Sequence, residues 1–257
     1  MSNAYGCSLN MLELCEISKL YGDAQALYPT SLTFQCGQTM ALLGTSGCGK
    51  STLLRLIAGL IQPDSGSIRL NGEPLTAQNI QSVRQRMGYV IQEGGLFPHL
   101  SLRANITLMA RHLRWPTTQI EQRVEVLGDL TRLAPHFLEP GIRWPAPTRG
   151  LNAGLVLDTD ILLLDEPLGA LDPIIRAELQ AELCDIFSAL RKTVVLVTHD
   201  LGEAAFLADD IVLLDAGRIV QQGKLEQLVE FPATPFVTRF INSQRHPFER
   251  GLRKCEG

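Results

Sequence analysis

The stretch TMALLGTSGCGKSTLLRLIAGL, residues 39 to 60, limits the possible fold more than any other part of the chain. Its first six residues are an apolar run of the kind that forms a strand buried on both faces. Residues 44 to 51 match the pattern G-x-x-x-x-G-K-[ST], with Gly44, Gly49, Lys50 and Ser51 at its fixed positions. A helical run then follows at once. Strand, glycine loop and helix in that order make a phosphate-binding loop. The glycines let the backbone curl so that N–H groups point inward at phosphate oxygens. The helix N-terminus adds positive partial charge. Lys50 is placed to neutralise β- and γ-phosphates, and the Ser51 hydroxyl to bind Mg²⁺.

Other short apolar runs read as strands buried on both faces: 86–91, 160–165, 193–198 and 210–215. Between them lie longer amphipathic stretches such as residues 173–191. The alternation predicts an α/β fold, a P-loop NTPase with a parallel core sheet covered by helices. Residues 101 to 157 carry helical patterning without a convincing strand, and read as an inserted helical subdomain. The predicted layout is one domain over 1–232, with core 1–92 and 158–232 and helical subdomain 93–157, then a short tail, 233–257.

A net charge of −4 argues against nucleic-acid binding through a generally basic surface. No apolar run is long enough to span a membrane, and residues 1–10 lack the layout of a signal peptide. The six cysteines form no CxxC pair, which argues against zinc; they read as reduced thiols.

A phosphate loop needs a carboxylate at the end of a neighbouring strand to orient hydrated Mg²⁺. The strand ILLLDE supplies Asp165, and Glu166 follows as a candidate general base for an attacking water. Gln92 ends another strand, within reach of Mg²⁺ or the water. His199 ends the strand VVLVT, where an imidazole can meet a γ-phosphate.

Together these motifs resemble the ATP-binding subunit of ABC transporters over roughly residues 11 to 232. GTSGCGKST is similar to the Walker A loop and ILLLDEP to the Walker B strand with its catalytic glutamate. VIQEGGLFPHLS is similar to the Q-loop and the surface that meets the membrane subunit. LGALDP is similar to the D-loop and VTHD to the His switch. The resemblance implies an ABC ATPase cassette with antiparallel β elements besides the core sheet. It assigns ATP binding to Tyr21, as an adenine stack, and to Gly44, Thr45, Ser46, Gly47, Cys48, Gly49, Lys50, Ser51 and Thr52. Mg²⁺ falls to Ser51, Gln92 and Asp165, catalysis to Glu166, His199 and Gln92, and a dimer contact to Asp172.

One family motif is missing. An LSGGQ-type signature is expected at a helix start some twenty positions before Walker B, where its amides grip the γ-phosphate bound to the opposing subunit. This chain instead has GIRWPAPTRGLNAG. A permitted coding of Ile142 to Ala153, read from its second base, translates as Ser-Gly-Gly-Gln-Arg-Gln-Arg-Val-Gly-Leu-Met-Arg. That is the missing signature and its helix, in register with the Walker B strand. The reading is therefore two compensating frameshifts bracketing roughly Pro140 to Gly154, in the gene or its sequencing. As written, Pro145 and Pro147 remove two amide donors.

GLFPHLSLRANI, EPLGALDPIIRAELQ and EAAFLADDIVLLDAGRIVQQG most resemble importers of glycine betaine, choline and related osmoprotectants. The implied partners are a permease subunit, a second ATP-binding subunit and, indirectly, an extracytoplasmic binding protein, with no nucleic acid. The implied location is the cytoplasmic face of the inner or plasma membrane, through the permease. An alternative is a degenerate module that binds ATP but hydrolyses it poorly as a homodimer. A soluble ABC protein of repair or translation would want a coiled-coil insertion or a tandem cassette, and the sequence has neither.

Overall fold

The computed structural model describes residues 10–91, 97, 99–130, 154–169 and 171–254. The expectations for Gln92 and for segment 140–153 lie outside the described residues.

Five parallel strands form the centre: β3 (Thr39–Gly44), β6 (Met87–Val90), β7 (Ile161–Asp165), β8 (Thr193–Thr198) and β9 (Asp210–Asp215). With β10 (Arg218–Gly223), which runs antiparallel to β9, they give the order β10-β9-β3-β8-β7-β6. The predicted apolar runs are these strands, to within a residue or two. Four more strands make a second, antiparallel sheet: β1 (Asn10–Tyr21), β2 (Ala24–Gln35), β4 (Ser65–Leu70) and β5 (Glu73–Pro74), in the order β2-β1-β4-β5.

Strand alternation sorts the core by face. Met40, Leu42, Ile161, Leu163, Val195 and Val197 point to one side of the parallel sheet. There they meet Leu53, Leu54, Leu56 and Ile57 of helix α1 (Lys50–Ile57) and the inner face of the antiparallel sheet, including Leu12, Leu27 and Phe34. Helix α1 thus fills the space between the two sheets. On the other side, Leu162, Leu164, Val194 and Leu196 pack against helices α3 (Leu102–His112), α4 (Thr117–Leu130) and α5 (Pro173–Leu190). A short helix, α2 (Ile80–Arg84), leads into β6.

Ala41, Leu43, Ile211 and Leu213 have separate cover on that same side. It comes from α6 (Leu201–Leu207), α7 (Leu225–Glu230) and α8 (Pro235–Lys254). The expected tail therefore contains a helix, α8, whose Val237, Phe240 and Ile241 are buried. No helix among the described residues is long and apolar enough to cross a membrane.

The chain beyond the helical segment is clamped to α4. Arg123 donates to Leu155 O at 3.2 Å, Val156 O at 3.3 Å and Asp158 Oδ1 at 2.8 Å. Lys192 reaches the same carboxylate oxygen at 2.9 Å. Burial alone would raise the Asp158 pKa, but Lys192 and Arg123 outweigh it and hold the carboxyl below its usual value. One expectation is corrected: Cys36 is disulfide-bonded, whereas Cys15, Cys48 and Cys184 are free thiols.

If α8 belongs to the cooperative fold, Phe240→Ala costs about 3 kcal/mol in urea denaturation, as large-to-small core changes do. A loss under about 0.5 kcal/mol, typical of surface sites, would show that the helix lies outside it.

Candidate functional site

Parallel strands bring their C-terminal ends to one edge, and the sequence-marked residues gather there. β3 ends in Gly44, β7 in Asp165 and β8 in Thr198. The loop 44–49 turns out of β3 into α1. Gly44 is required by space: a Cβ there would lie 2.4 Å from Leu214 O and 2.6 Å from Cys48 Sγ. Gly47 has open space around it, but its φ of +78° is one that side chains disfavour. The β9–β10 turn lashes the loop in place, since Gly217 N–H donates to Cys48 O at 3.0 Å. The same glycine accepts from Tyr28 N–H at 2.9 Å, which ties the loop to β2.

The buried Lys50 ammonium donates to Gly44 O at 2.8 Å and Thr45 O at 2.9 Å. Two carbonyls of the loop thus hold the cation over the curve they form. Burial pushes the Cys48 thiol up, with Lys50 opposing, so it is an apolar filler here and not a nucleophile.

Ser51 Oγ donates to Asp165 Oδ1 at 3.2 Å, joining the first turn of α1 to the end of β7. Tyr89 of β6 donates to the other oxygen, Oδ2, at 3.4 Å. Burial raises the Asp165 pKa; the Ser51 hydrogen bond opposes this, and the charge of Glu166 adds to it. Two adjacent hard oxygens on a rigid strand and helix suit Mg²⁺, which takes one or two protein ligands and fills its octahedron with water and phosphate. Among the described residues, no group of three or more His, Cys, Asp or Glu could hold a metal unaided.

Glu166 leaves the strand with φ +46° while its N–H donates to Val197 O at 2.9 Å. The left-handed turn, more than strand alternation, re-aims its side chain. Glu166 Oε2 lies 3.2 Å from His199 Nδ1, so the two expected catalytic residues touch one another. With Nδ1 as donor, the imidazole orients the carboxylate and keeps Nε2 for another partner.

Asp172 caps α5, accepting from Ile174 and Ile175 N–H, both at 3.1 Å. Tyr21 stands at the tip of the β1–β2 hairpin, half-exposed, with Lys19 Nζ 6.0 Å from its ring centroid. Gly49 abuts Ala26 O on that hairpin, so the tip stands beside the loop.

Sequence reading missed Tyr89 and a buried group behind His199. Glu203 is only 3% exposed and accepts from Thr198 Oγ1 at 2.6 Å. Its place four residues after His199, on the helix that VTHD opens, was the available signal.

The family profile described as ABC transporter matches residues 27–143. The glycine betaine uptake system ATP-binding protein YehX of Escherichia coli (strain K12) is 41% identical over 238 residues, 90% of this chain and 76% of that protein. The glycine betaine/carnitine/choline transport ATP-binding protein OpuCA of Bacillus subtilis (strain 168) is 40% identical over 243 residues. That alignment covers 91% of this chain but 63% of that protein's length. Among solved structures, an ATP-binding cassette in a dimeric, post-hydrolysis state bound to ADP and Pi superposes with TM-score 0.73 at 26% identity, over 84% of this chain and 99% of that one. The cbiO1 protein of Clostridium perfringens, part of the ABC transporter complex cbiONQ, shares the fold, with TM-score 0.80 at 24% identity, over 97% of this chain and 100% of that one.

Burial, more than the charge of Asp200, raises the Glu203 pKa to about 7, against the Thr198 hydrogen bond and the nearby Arg176 guanidinium. Below pH 4.5 the carboxyl is neutral whether or not the chain is folded. As pH rises towards 7 the unfolded chain releases the proton and the fold retains it, so stability falls. Above pH 7 the loss levels off at about 3 kcal/mol. Melting curves from pH 5 to 8 therefore show wild type losing ground steadily to Glu203→Gln. A constant gap would mean that Glu203 titrates normally.

Proposed function

This chain belongs to the ATP-binding family of ABC transporters, and from that premise we propose that it binds Mg-ATP and hydrolyses it to power import through a membrane permease. One observation carries the reading. Lys50 over its loop, Ser51 on Asp165, and His199 on Glu166 converge on one edge of one sheet. In this reading Lys50 neutralises the β- and γ-phosphates, and Ser51 and Asp165 hold Mg²⁺, which screens the phosphate charge. Glu166 accepts the proton of the attacking water, and His199 fixes the carboxylate that does so. Gln92 supplies a further polar contact to Mg²⁺ or the water, and Tyr21 stacks on adenine beside the loop. Asp172 lies at the contact with a second ATP-binding subunit.

The substrate class we infer is the quaternary-amine osmoprotectants, supported by the transport named for YehX and OpuCA and by the same loop resemblances. Substrate would be read by an extracytoplasmic binding protein and the permease, and this chain would sit peripherally on the cytoplasmic face. For the permease contact, Phe97 is the candidate anchor. It is half-exposed, edge-on to His99, and its N–H and carbonyl are both held by Asn105.

A second reading is favoured by residues 142–153: a module that binds ATP but turns it over slowly as a homodimer. The frameshift reading explains that segment, and resequencing the locus together with peptide mass spectrometry over it decides the question.

Lys50→Ala abolishes Mg-ATP binding in calorimetry, because the phosphates lose their main cation. Equal affinity in mutant and wild type would place the nucleotide elsewhere. Replacing residues 142–153 with Ser-Gly-Gly-Gln-Arg-Gln-Arg-Val-Gly-Leu-Met-Arg raises ATP turnover by about 10²-fold or more, the usual scale for restoring transition-state donors. Adding Glu166→Gln removes that turnover and keeps ATP bound. Turnover already at the repaired level in the unrepaired chain would make the present segment a working substitute.

Phe97→Asp preserves ATP binding and abolishes co-purification with the permease. Normal co-purification would remove Phe97 from that interface.

A further inference from the structure

The turn after β8 is held from beneath. Thr198, His199 and Asp200 form it, and Glu203 on α6 lies buried under it. Thr198 Oγ1 donates to Glu203 Oε2 at 2.6 Å, and Asp200 N–H donates to Thr198 Oγ1 at 3.1 Å. Asp200 Oδ1 accepts from Glu203 N–H at 3.0 Å, which closes a ring around the backbone of His199. The imidazole lies outside that ring, against Glu166.

The ring has an extension. Asp200 Oδ2 lies 3.5 Å from Arg176 of α5, and Arg176 donates to Leu171 O at 3.2 Å, next to Asp172. Two atoms of this cluster, Glu203 Oε1 and Arg176 Nε, are buried without a hydrogen-bond partner. Leaving such groups unpaired is costly, and an apolar side chain at position 203 would avoid it. The carboxylate thus contributes something other than stability, and its contacts all bear on the placement of His199.

We propose that Glu203 is a positioning residue: it fixes the Thr198–Asp200 turn so that His199 meets Glu166, and through Asp200 and Arg176 it ties that turn to the Leu171–Asp172 loop. The inference rests on the ATPase reading for its kinetic consequence, though not for its geometry.

The test uses the full chain with ¹⁵N-histidine labelling, the His199 ring resonance being assigned by its loss in His199→Gln. Glu203→Ala is expected to shift that resonance without nucleotide present. It also lowers kcat about 10-fold or more while KM for Mg-ATP stays within about twofold, as misplacement of a reacting group does. Glu203→Gln keeps an acceptor for Thr198 and restores both readouts. Thr198→Val removes the same hydrogen bond from the other side and gives the same shift, so the test stands even if Glu203→Ala does not fold. An unmoved His199 resonance in the folded variants overturns the proposal. The kinetics are read in the chain with residues 142–153 replaced as above; a folded, repaired chain without any turnover overturns the ATPase reading instead, and the resonance still decides the role of Glu203.

Discussion

Strand β3 has no free side. Its backbone pairs with β8 along one edge and with β9 along the other, and all six of its residues are buried. From Met40 to Leu43 this enclosed strand carries apolar side chains alone. Charge and hydrogen-bonding capacity therefore accumulate where the strand ends, at Gly44. The same limit acts on β7 and β8, whose apolar runs stop at Asp165 and Thr198. The site lies at this edge because the rest of the sheet excludes it.

The groups crowded there are unequal in charge. Asp165, Glu166, Asp200 and Glu203 line the β7 and β8 ends, and Lys50, Arg55 and Arg176 are cations near them. Desolvation raises the pKa of both Asp165 and Glu203, and a neighbouring carboxylate adds to each. Lys50 spends its donors on two loop carbonyls rather than on an acid. Among the described residues no salt bridge compensates its positive charge, which agrees with the phosphate role proposed for it.

The parallel sheet was legible because burial on both faces writes itself as unbroken apolar runs. The loop was legible because its geometry admits few residue types, as Gly44 shows. The antiparallel sheet was not spelled out strand by strand, and β1 shows why. Leu12 and Leu14 keep the two-residue period, but Glu16 takes φ +51° in a bulge and the next core residue is Ile17. One extra residue moves the pattern to the other phase, so the eye sees no strand. Helix α8 hid for a different reason: three spaced apolar residues, Val237, Phe240 and Ile241, carry its packing among polar ones. At the site, types and positions of the principal residues were readable, whereas the mutual contact of Glu166 and His199 and the support from Glu203 arise only when β7, β8 and α6 come together.

The Arg123 clamp bears on how this chain tolerates change. It binds α4 to Leu155, Val156 and Asp158 through contacts that no residue from 131 to 153 supplies. The two flanks of that interval are therefore closed upon each other by the rest of the fold. The entropy of closing a segment depends only weakly on its length. The join between α4 and the segment leading into β7 is thus made by residues outside the interval.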